Sequence, residues 1–473
     1  MTKSKNICDK SMTIDDCELA IVRLAVDKAE DKAGRKSVSS PQVKRIISIV
    51  EEFLRKKHLV AYGGTAINAI LPKHDQFYNK DIELPDYDFF TPNALADAKE
   101  LCDIYVKEGF TEVEGKAGVH EGTYKVYVDF IPVADVTFLH PELFDAIQRD
   151  SIKVSGIRYA PPNFLRMSMY MELSRPEGDV SRWEKVLKRL VLLNKHYPLK
   201  ASHCNRVTFQ RNMHNKTQEE AIFTTVKETF IQQGVVFFGG YAMSLFSQYM
   251  PRKHRKKFKR YADFDVISED PETTAMIVKE RLEDEDIENV EIIKRPAIGE
   301  IVAPHYEIKV GEDTVAFVYE PISCHSYNKI KDDGYEVNIA TIDTMLSYYL
   351  AFLYASREYY DVNRILCISQ YLFKVQIANR LKQKGLLRRF TIRCYGKQET
   401  LQDIRETKAK KFLKMKGKKG TEEYEKYFFR YRPGDNKTKK RIASSSSSSS
   451  AKSKSKSKSK SKSSKKTRSK RHS

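Results

Sequence analysis

The chain has 473 residues, 41% of them hydrophobic, with 84 Lys and Arg against 63 Asp and Glu, which is enough for two or three domains, each with its own core. The net charge of +21 is uneven: residues 380–473 hold 33 Lys and Arg against 7 Asp and Glu, leaving −5 on the first 379, the pattern of a mildly acidic body with a nucleic-acid-facing extension. The N-terminus lacks the apolar segment of a secretory signal, and the longest mostly apolar stretch, Met345 to Ala355, has 11 residues, about half of what spans a bilayer, so a soluble, non-secreted protein with no membrane partner is expected.

Residues 13–32 place Ile14, Leu19, Ile21, Val22 and Ala25 at helical spacing, predicting a helix that packs on the following domain. Ser39, Ser40 and Pro41 open a second helix through about Lys57. His58 to Tyr62 reads as a short strand ending at Gly63-Gly64, and residues 65–71 begin another helix. After Asp86-Tyr87-Asp88 on a strand come Phe89-Phe90, a Thr91-Pro92-Asn93 turn and a helix from Ala94 to Glu108. Residues 122–140 are β-rich and broken near Ile131-Pro132, which predicts a hairpin. Residues 163–193 are helical, interrupted at Pro176-Glu177-Gly178. Residues 195–216 have no clean period and read as a connector, and a second unit runs from Thr217 to Ile377. From Ser444 the chain is seven serines and then alternating Lys and Ser, a composition that cannot offset the entropy of ordering and is expected to be disordered. The expected divisions are an N-terminal helical extension (1–38), a first unit with its helical block (39–194), the connector (195–216), a second unit (217–379), a basic aromatic region (380–442) and the tail (443–473).

The second unit repeats the first. Tyr62-Gly63-Gly64-Thr65 with Asp86-Tyr87-Asp88 returns as Phe238-Gly239-Gly240-Tyr241 with Asp263-Phe264-Asp265, at offsets of 176 and 177. Ser174-Arg175, Asp179-Val180 and Arg182 return as Ser356-Arg357, Asp361-Val362 and Arg364 at an offset of 182. A period near 180 is a duplicated domain, since solenoid repeats run at roughly 20 to 50 residues.

The repeated residues are parts of a metal-assisted phosphoryl-transfer site. Gly63 and Gly64 let the backbone turn sharply and bring N–H groups against a phosphate, at the start of a helix whose dipole favours the same charge; Thr65 adds a hydroxyl. Asp86 and Asp88, two apart on a strand, leave the same face, and carboxylates so close suit Mg²⁺, a hard cation that takes oxygen ligands. Alone, a glycine pair is usually only a turn and a D-x-D only a solvated strand edge; their order before a hairpin favours a site. Two-metal chemistry needs a further acid at the attacking hydroxyl. The hairpin offers Asp129 and Asp135, and Asp135 is preferred because it lies among apolar residues on the returning strand. In the second copy, aligning Pro141 with Pro321 sets Val315 opposite Asp135, and a one-residue shift sets Ala316 there. Neither ligates a metal, so the second unit is expected to be catalytically dead, with Asp263 and Asp265 binding an ion or capping local structure.

Seven cysteines, odd in number and never spaced C-x-x-C, predict neither a disulfide frame nor a zinc ribbon, and hence a reducing compartment. His203-Cys204 with His214, and Cys324-His325, read as core or loop residues rather than a metal site.

Taken together, Tyr62-Gly63-Gly64-Thr65-Ala66-Ile67, Pro85-Asp86-Tyr87-Asp88-Phe89-Phe90, Val133-Ala134-Asp135 and Leu173-Ser174-Arg175-Pro176 with Arg182-Trp183 resemble the DNA polymerase β-like nucleotidyltransferase superfamily. The nearer resemblance is to the poly(A) polymerase catalytic subunits of large nucleocytoplasmic DNA viruses of poxvirus, asfarvirus and mimivirus type. It covers about residues 40–380. It implies an α+β fold of two tandem nucleotidyltransferase-like units, each a mixed sheet with helices on one face, the second degenerate. The implied activity is template-independent transfer of AMP from ATP to an RNA 3′ end with two Mg²⁺ or Mn²⁺ ions. Asp86, Asp88 and Asp135 then hold metal, Gly63, Gly64 and Thr65 hold the triphosphate, and Arg175, Arg182 and Lys185 contact triphosphate or base. Arg182 and Lys185 read equally as a solvated basic face, and Trp183 as core. The chain departs from the superfamily in the 21 residues between Gly64 and Asp86, where about a dozen are usual; the insert reads as a loop over the site.

The basic C-terminal region would attract RNA backbone, with Phe390, Tyr395, Tyr424, Tyr427, Phe428, Phe429 and Tyr431 stacking bases or forming a small satellite core. The Ser/Lys tail would be a tether or a phosphorylation-tunable arm. Viral enzymes of this type use a methyltransferase-like processivity subunit or self-associate as a homodimer, and the resemblance places the chain in host cytoplasm or virion. Two other functions stay open: a nucleotidyltransferase for another nucleotide or acceptor, such as a terminal uridylyltransferase, and a non-catalytic RNA-binding subunit.

Overall fold

The computed structural model describes residues 7–8, 11–79, 81–211, 213–214, 216–250, 255, 258 and 260–433; the serine and lysine tail lies outside them. In the first unit, α1 (Ile14–Ser39) and α2 (Pro41–Lys57) precede β1 (Val60–Ala61), α3 (Gly63–Ile70), β2 (Tyr87–Thr91), α4 (Ala94–Lys107), β3 (Val113–Ala117), β4 (Thr123–Val128) and β5 (Ile131–Phe138). Then come α5 (Pro141–Arg149), β6 (Ile152–Val154), β7 (Ile157–Tyr159), α6 (Pro162–Leu173) and α7 (Trp183–His196). The second unit runs α8 (Glu219–Gln232), β8 (Val236–Phe237), α9 (Gly240–Phe246), β9 (Phe264–Ile267), α10 (Pro271–Asp284), β10 (Val290–Arg295), β11 (His305–Val310) and β12 (Asp313–Tyr319). It closes with β13 (His325–Asp332), β14 (Tyr335–Ala340), α11 (Ile342–Phe352) and α12 (Val362–Ala378), before β15 (Cys394–Tyr395), α13 (Leu401–Met415), α14 (Glu422–Phe428) and β16 (Arg430–Tyr431).

Two mixed sheets result, ordered β16-β3-β4-β5-β2-β1-β7-β6 and β10-β11-β12-β9-β8-β14-β13-β15. Their inner seven strands correspond one to one. Parallel pairs fall in the same places, β1 with β7 and β2 with β5 in one, β8 with β14 and β9 with β12 in the other. The duplication read from two short motifs therefore extends to whole domains.

Helix α2 shows why the helices form where they do: Pro41 fits the first turn, Val43, Ile46, Ile49, Val50, Phe53 and Leu54 make one buried stripe, and His58 ends it in the left-handed region at φ 56°. α1 forms as predicted but does not pack as expected. Ile14, Leu19, Ile21 and Val22 are exposed, because α2 and α4 already cover the sheet and leave α1 little beyond α2 to touch. The hairpin turns at Asp129 and Phe130, both at positive φ, so Ile131 and Pro132 begin the returning strand instead of breaking it. β3, α5, β6 and β7 were not apparent in the sequence.

The cysteine expectation is corrected. Cys8 pairs with Cys17, Cys204 with Cys367 and Cys324 with Cys394, leaving Cys102 as the free and buried thiol, its pKa pushed up to about 12 by burial and then by Asp103. Two of the pairs join residues 163 and 70 positions apart, partners that only the fold brings together. No helix among the described residues is long and apolar enough to cross a membrane.

The units meet through α6 and α11, with the Phe164 and Tyr354 rings 5.2 Å apart, an Arg357–Glu142 ion pair at 2.7 Å and a Ser326 N–H donating to the Ser174 carbonyl at 2.8 Å. The C-terminal segment serves both. β15 pairs with β13 on the second sheet; the chain then crosses back, and β16 pairs antiparallel with β3 on the first. Phe429 is 3% exposed, edge-on to Tyr124 at 5.4 Å, above Gly115, where a Cβ would lie 2.9 Å from its ring. Phe412, Tyr424 and Phe428 pack on one another. For these residues the satellite core, not a stacking platform, is the arrangement found. Phe429→Ala is expected to cost ~3 kcal/mol or more, measured as a lower denaturation midpoint in urea.

Candidate active site

β1 runs into Gly63, which turns at φ +69° to start α3. A Cβ on Gly63 would lie 2.7 Å from Asp88 Oδ2, and one on Gly64 would lie 2.6 Å from Tyr78 Oη and 2.9 Å from Arg189 Nη1. Gly63 is thus favoured by its positive φ, and a side chain on Gly64 would push aside the tips of Tyr78 and Arg189. The Tyr62 N–H donates to the Asp88 carbonyl at 2.9 Å, and Thr65 Oγ1 donates to the Asp86 carbonyl at 2.8 Å, so this hydroxyl ties the turn to β2. Asp86 immediately precedes β2 and Asp88 lies within it. β2 runs parallel to β5 with Asp88 directly opposite Asp135. All three aspartates, Gly63, Gly64 and Thr65 line one cavity of about 900 Å³.

Crowding sets the electrostatics. Burial first, then the charges of Asp86 and Asp135, push the Asp88 carboxyl up to about 7; burial and then Asp135 raise that of Asp86. Lys125, opposite Asp135 on β4, forms an ion pair with Asp135 Oδ2. Burial disfavours the Lys125 ammonium most, yet the bond to Asp135 and the charges of Asp135 and Asp86 together outweigh it and raise its pKa. Asp135 Oδ1 is buried with no hydrogen-bond partner. Three oxygen-bearing anions, one with an orphaned atom, suit hard divalent cations, and Asp86, Asp88 and Asp135 are the residues that would hold them. Two tighter clusters occur among the described residues. His74, Asp75 and His196 form one, where Lys195 already neutralises Asp75 at 2.5 Å, and Glu177 with the Cys324–Cys394 disulfide forms the other.

Asp129, the alternative third acid, sits at the exposed hairpin tip, accepts from Gln42 and does not line the cavity. Arg182 and Lys185 do line it, Arg182 paired with Glu172 at 3.0 Å. Arg175 does not: α6 ends at Leu173, and the Ser174 carbonyl bonded to Ser326 turns the chain toward the second unit. There Arg175, after burial, helps hold His325 down at about 3. Its expected triphosphate or base contact is corrected on that ground. Trp183 is half-buried with its Nε1–H donating to the Glu172 carbonyl at 3.1 Å and its ring 5.5 Å from Phe390.

Sequence reasoning missed Arg189, although Arg182, Lys185 and Arg189 follow the i, i+3, i+7 spacing of one helix face. Its guanidinium donates to Tyr78 Oη at 2.6 Å and lies 4.9 Å over the Phe77 ring. It thereby holds the 72–85 insert over the glycine turn.

The second unit has closed its counterpart site. A Cβ on Gly239 would lie 2.0 Å from Asp265 Oδ2, and one on Gly240 2.2 Å from Asp263 Oδ1, so the acids rest on the turn where a phosphate would sit. Arg211 Nη2 is 3.0 Å from Asp263 Oδ2 and 3.1 Å from Asp265 Oδ1, and the guanidinium lies 4.9 Å over Phe317. The two acids pair with an arginine from the connector, and Asp263 Oδ1 also accepts from the Arg211 backbone N–H at 3.1 Å, which is the capping of local structure expected of them. β9 and β12 set Asp265 opposite Phe317, which corrects Val315 and Ala316 as the residue at the third-acid position. Glu307 faces Phe317 where Lys125 faces Asp135. The alignment from the two prolines slipped because the strand-to-proline spacing differs between the copies.

Residues 48–179 match the sequence profile of the poly(A) polymerase catalytic subunit. The chain is 32% identical over 180 residues, 37% of its length and 38% of the relative's, to a putative poly(A) polymerase catalytic subunit of African swine fever virus (isolate Tick/Malawi/Lil 20-1/1983). It is 32% identical over 159 residues to that of Acanthamoeba polyphaga mimivirus, 33% of this chain and 26% of the relative. The alignments thus span well under half the length of these relatives. The crystal structure of the Megavirus polyadenylate synthase superposes with a TM-score of 0.75 at 20% identity, covering 96% of this chain and 93% of that one. Residues 48–179 are therefore similar to poly(A) polymerase catalytic subunits, and the chain as a whole has the fold of that Megavirus structure.

Proposed function

We propose that the first unit transfers AMP from ATP to the 3′-hydroxyl of RNA without a template. The observation that carries the reading is the convergence of Asp86, Asp88 and Asp135 on the Gly63-Gly64 turn inside a cavity also lined by Arg182, Lys185 and Arg189. The names of the relatives support adenylate as the unit added. The 3′-oxygen forms a bond to the α-phosphorus as the bond from that phosphorus to the bridging oxygen of the β-phosphate breaks, and pyrophosphate leaves.

Divalent ions, when bound, ease deprotonation of the attacking hydroxyl and neutralise charge on the leaving group. The backbone N–H groups at the start of α3 face the triphosphate, and Arg182, Lys185 and Arg189 balance its charge. Lys125 neutralises Asp135 in the ion-free protein. The 72–85 insert, fastened through Tyr78 and Arg189, covers the turn and limits water at the reacting phosphate.

The decisive measurement is extension of an unstructured RNA primer with each of the four NTPs. ATP is expected to be preferred; preference for UTP would favour a uridylyltransferase, and no incorporation by metal-replete protein a purely RNA-binding role. Asp86→Ala and Asp135→Asn are expected to lower the rate by ~10³ or more, while Asp129→Asn leaves it unchanged; the reverse result would make Asp129 the third acid.

The raised Asp88 carboxyl sets a pH dependence. A carboxyl whose pKa is higher folded than unfolded favours the fold while protonated, so its contribution falls as pH rises from about 4 to about 7. The ion-free chain should lose melting temperature across that window. The gain from added Mn²⁺ should grow over the same range, and Asp88→Asn should flatten both, as read by thermal scans in EDTA and in Mn²⁺.

Arg211→Met leaves Asp263 and Asp265 buried and unpaired, at a cost of ~3–5 kcal/mol. A lower melting temperature with unchanged specific activity of the folded fraction is expected, and Asp263→Asn with Asp265→Asn in the same chain should restore stability.

A further inference from the structure

The loop between β3 and β4 faces two ways. His120 and Thr123 line the active cavity. Glu121, between them, accepts ion pairs from Lys411 of α13 at 3.3 Å and Lys426 of α14 at 3.2 Å, and the Gly118 carbonyl accepts from Lys408 at 2.5 Å. Helix α13 is thereby fastened to the mouth of the cavity.

Lys408 and Lys411 are used in that fastening, but most of the cations here are not. Arg405, Lys410, Lys414, Lys416 and Lys419 are exposed and form no ion pair among the described residues. The acids of residues 401–419 are Asp403 and Glu406, and Asp403 is engaged in the capping box with Thr400. A row of cations with so few local anions is not the salt-bridged face of an ordinary surface helix. The placement is also selective. In the second, closed unit the outer edge of β10 carries no strand or basic helix among the described residues.

We propose that α13 and the turn after it are the surface that receives the RNA strand as it leaves the cavity, its phosphates crossing the His120 rim onto Lys410, Lys414, Lys416 and Lys419. The inference rests on the RNA-extending reading of the cavity and names where the acceptor strand lies. Recognition there is by backbone charge and is indifferent to base sequence, as a strand that grows as a homopolymer requires.

The test is fluorescence anisotropy of an oligoadenylate of about 20 nucleotides with the full chain, in EDTA and without ATP, at stepped salt. With Lys410, Lys414, Lys416 and Lys419 all changed to Gln, the dissociation constant at about 100 mM salt should rise ten-fold or more, and the log–log salt slope should fall by about 3, since each phosphate contact to a single strand contributes about 0.7. Changing Lys28, Lys32, Lys36 and Lys331 to Gln removes the same charge from α1 and β13, and should alter the constant by less than about two-fold. Equal losses in the two sets would show attraction by net charge alone and overturn the proposal, as would no loss in the α13 set. Primer extension by the unsubstituted chain separates this inference from its premise. Normal extension with unchanged affinity in the α13 set refutes the surface alone, whereas the expected binding loss in a chain that never extends RNA supports the surface and refutes the polymerase reading.

Discussion

Repulsion among carboxylates brought together out of water is the constraint on which both units are built. β2 and β5 lie side by side and parallel, and this register forces Asp88 against Asp135 with Asp86 at the strand entrance. In a half-buried cavity such charges cannot all be tolerated without a cation. In the first unit Lys125 compensates one of them, from one side and through a flexible side chain. The rest of the site follows from leaving that compensation incomplete, since a buried oxygen of Asp135 lacks a partner and Asp88 is held near neutrality. In the second unit the same two-residue spacing is bridged by Arg211, whose fixed fork matches two carboxylates at once. The two copies therefore differ in how their paired acids are met, by a lysine on one acid in the first and by an arginine across both in the second.

Much of this was legible in the sequence, because it rests on short-range pattern. The glycine turn, the D-x-D, the returning strand with Asp135 and the duplication all depend on residues adjacent or alternating along the chain, where periodicity 2 and 3.6 leave a mark. What escaped depends on pairing at a distance. Arg211 sits in a stretch without period, yet its guanidinium reaches Asp263 and Asp265. Phe317, not Val315 or Ala316, faces Asp265 because the spacing from the strand to the following proline is shorter in the second copy. Arg175 belonged to a repeated block and looked like a ligand contact, but its neighbours are set by the junction with the second unit. The cysteine pairs were hidden for the same reason.

The second unit has consequences for the first despite its closed site. Its α11 packs on α6, the helix that carries Met169 and Glu172 on the cavity wall, and Arg357 clamps Glu142 at the foot of α5. The closed copy thus serves as a wall for the open one. The mixed sheets also avoid open edges unevenly: β16 covers β3 in the first, while β15 covers β13 in the second, on the opposite flank. Paired edges resist unwanted strand addition, so one short C-terminal segment protects a flank of each unit.

That crossing back has a consequence in time as well as in space. A ribosome completes residues 39–194 long before it reaches Arg430 and Tyr431, so the first unit waits with its β3 edge and the Phe429 seat open while the whole second unit is made. Pairing strands more than three hundred positions apart is among the slower steps available to a chain. The order of synthesis thus makes completion of the last described strand the final closure of the first domain. A chain that ends early carries its own mark of incompleteness, an exposed strand and an empty aromatic socket beside the His120 rim of the cavity.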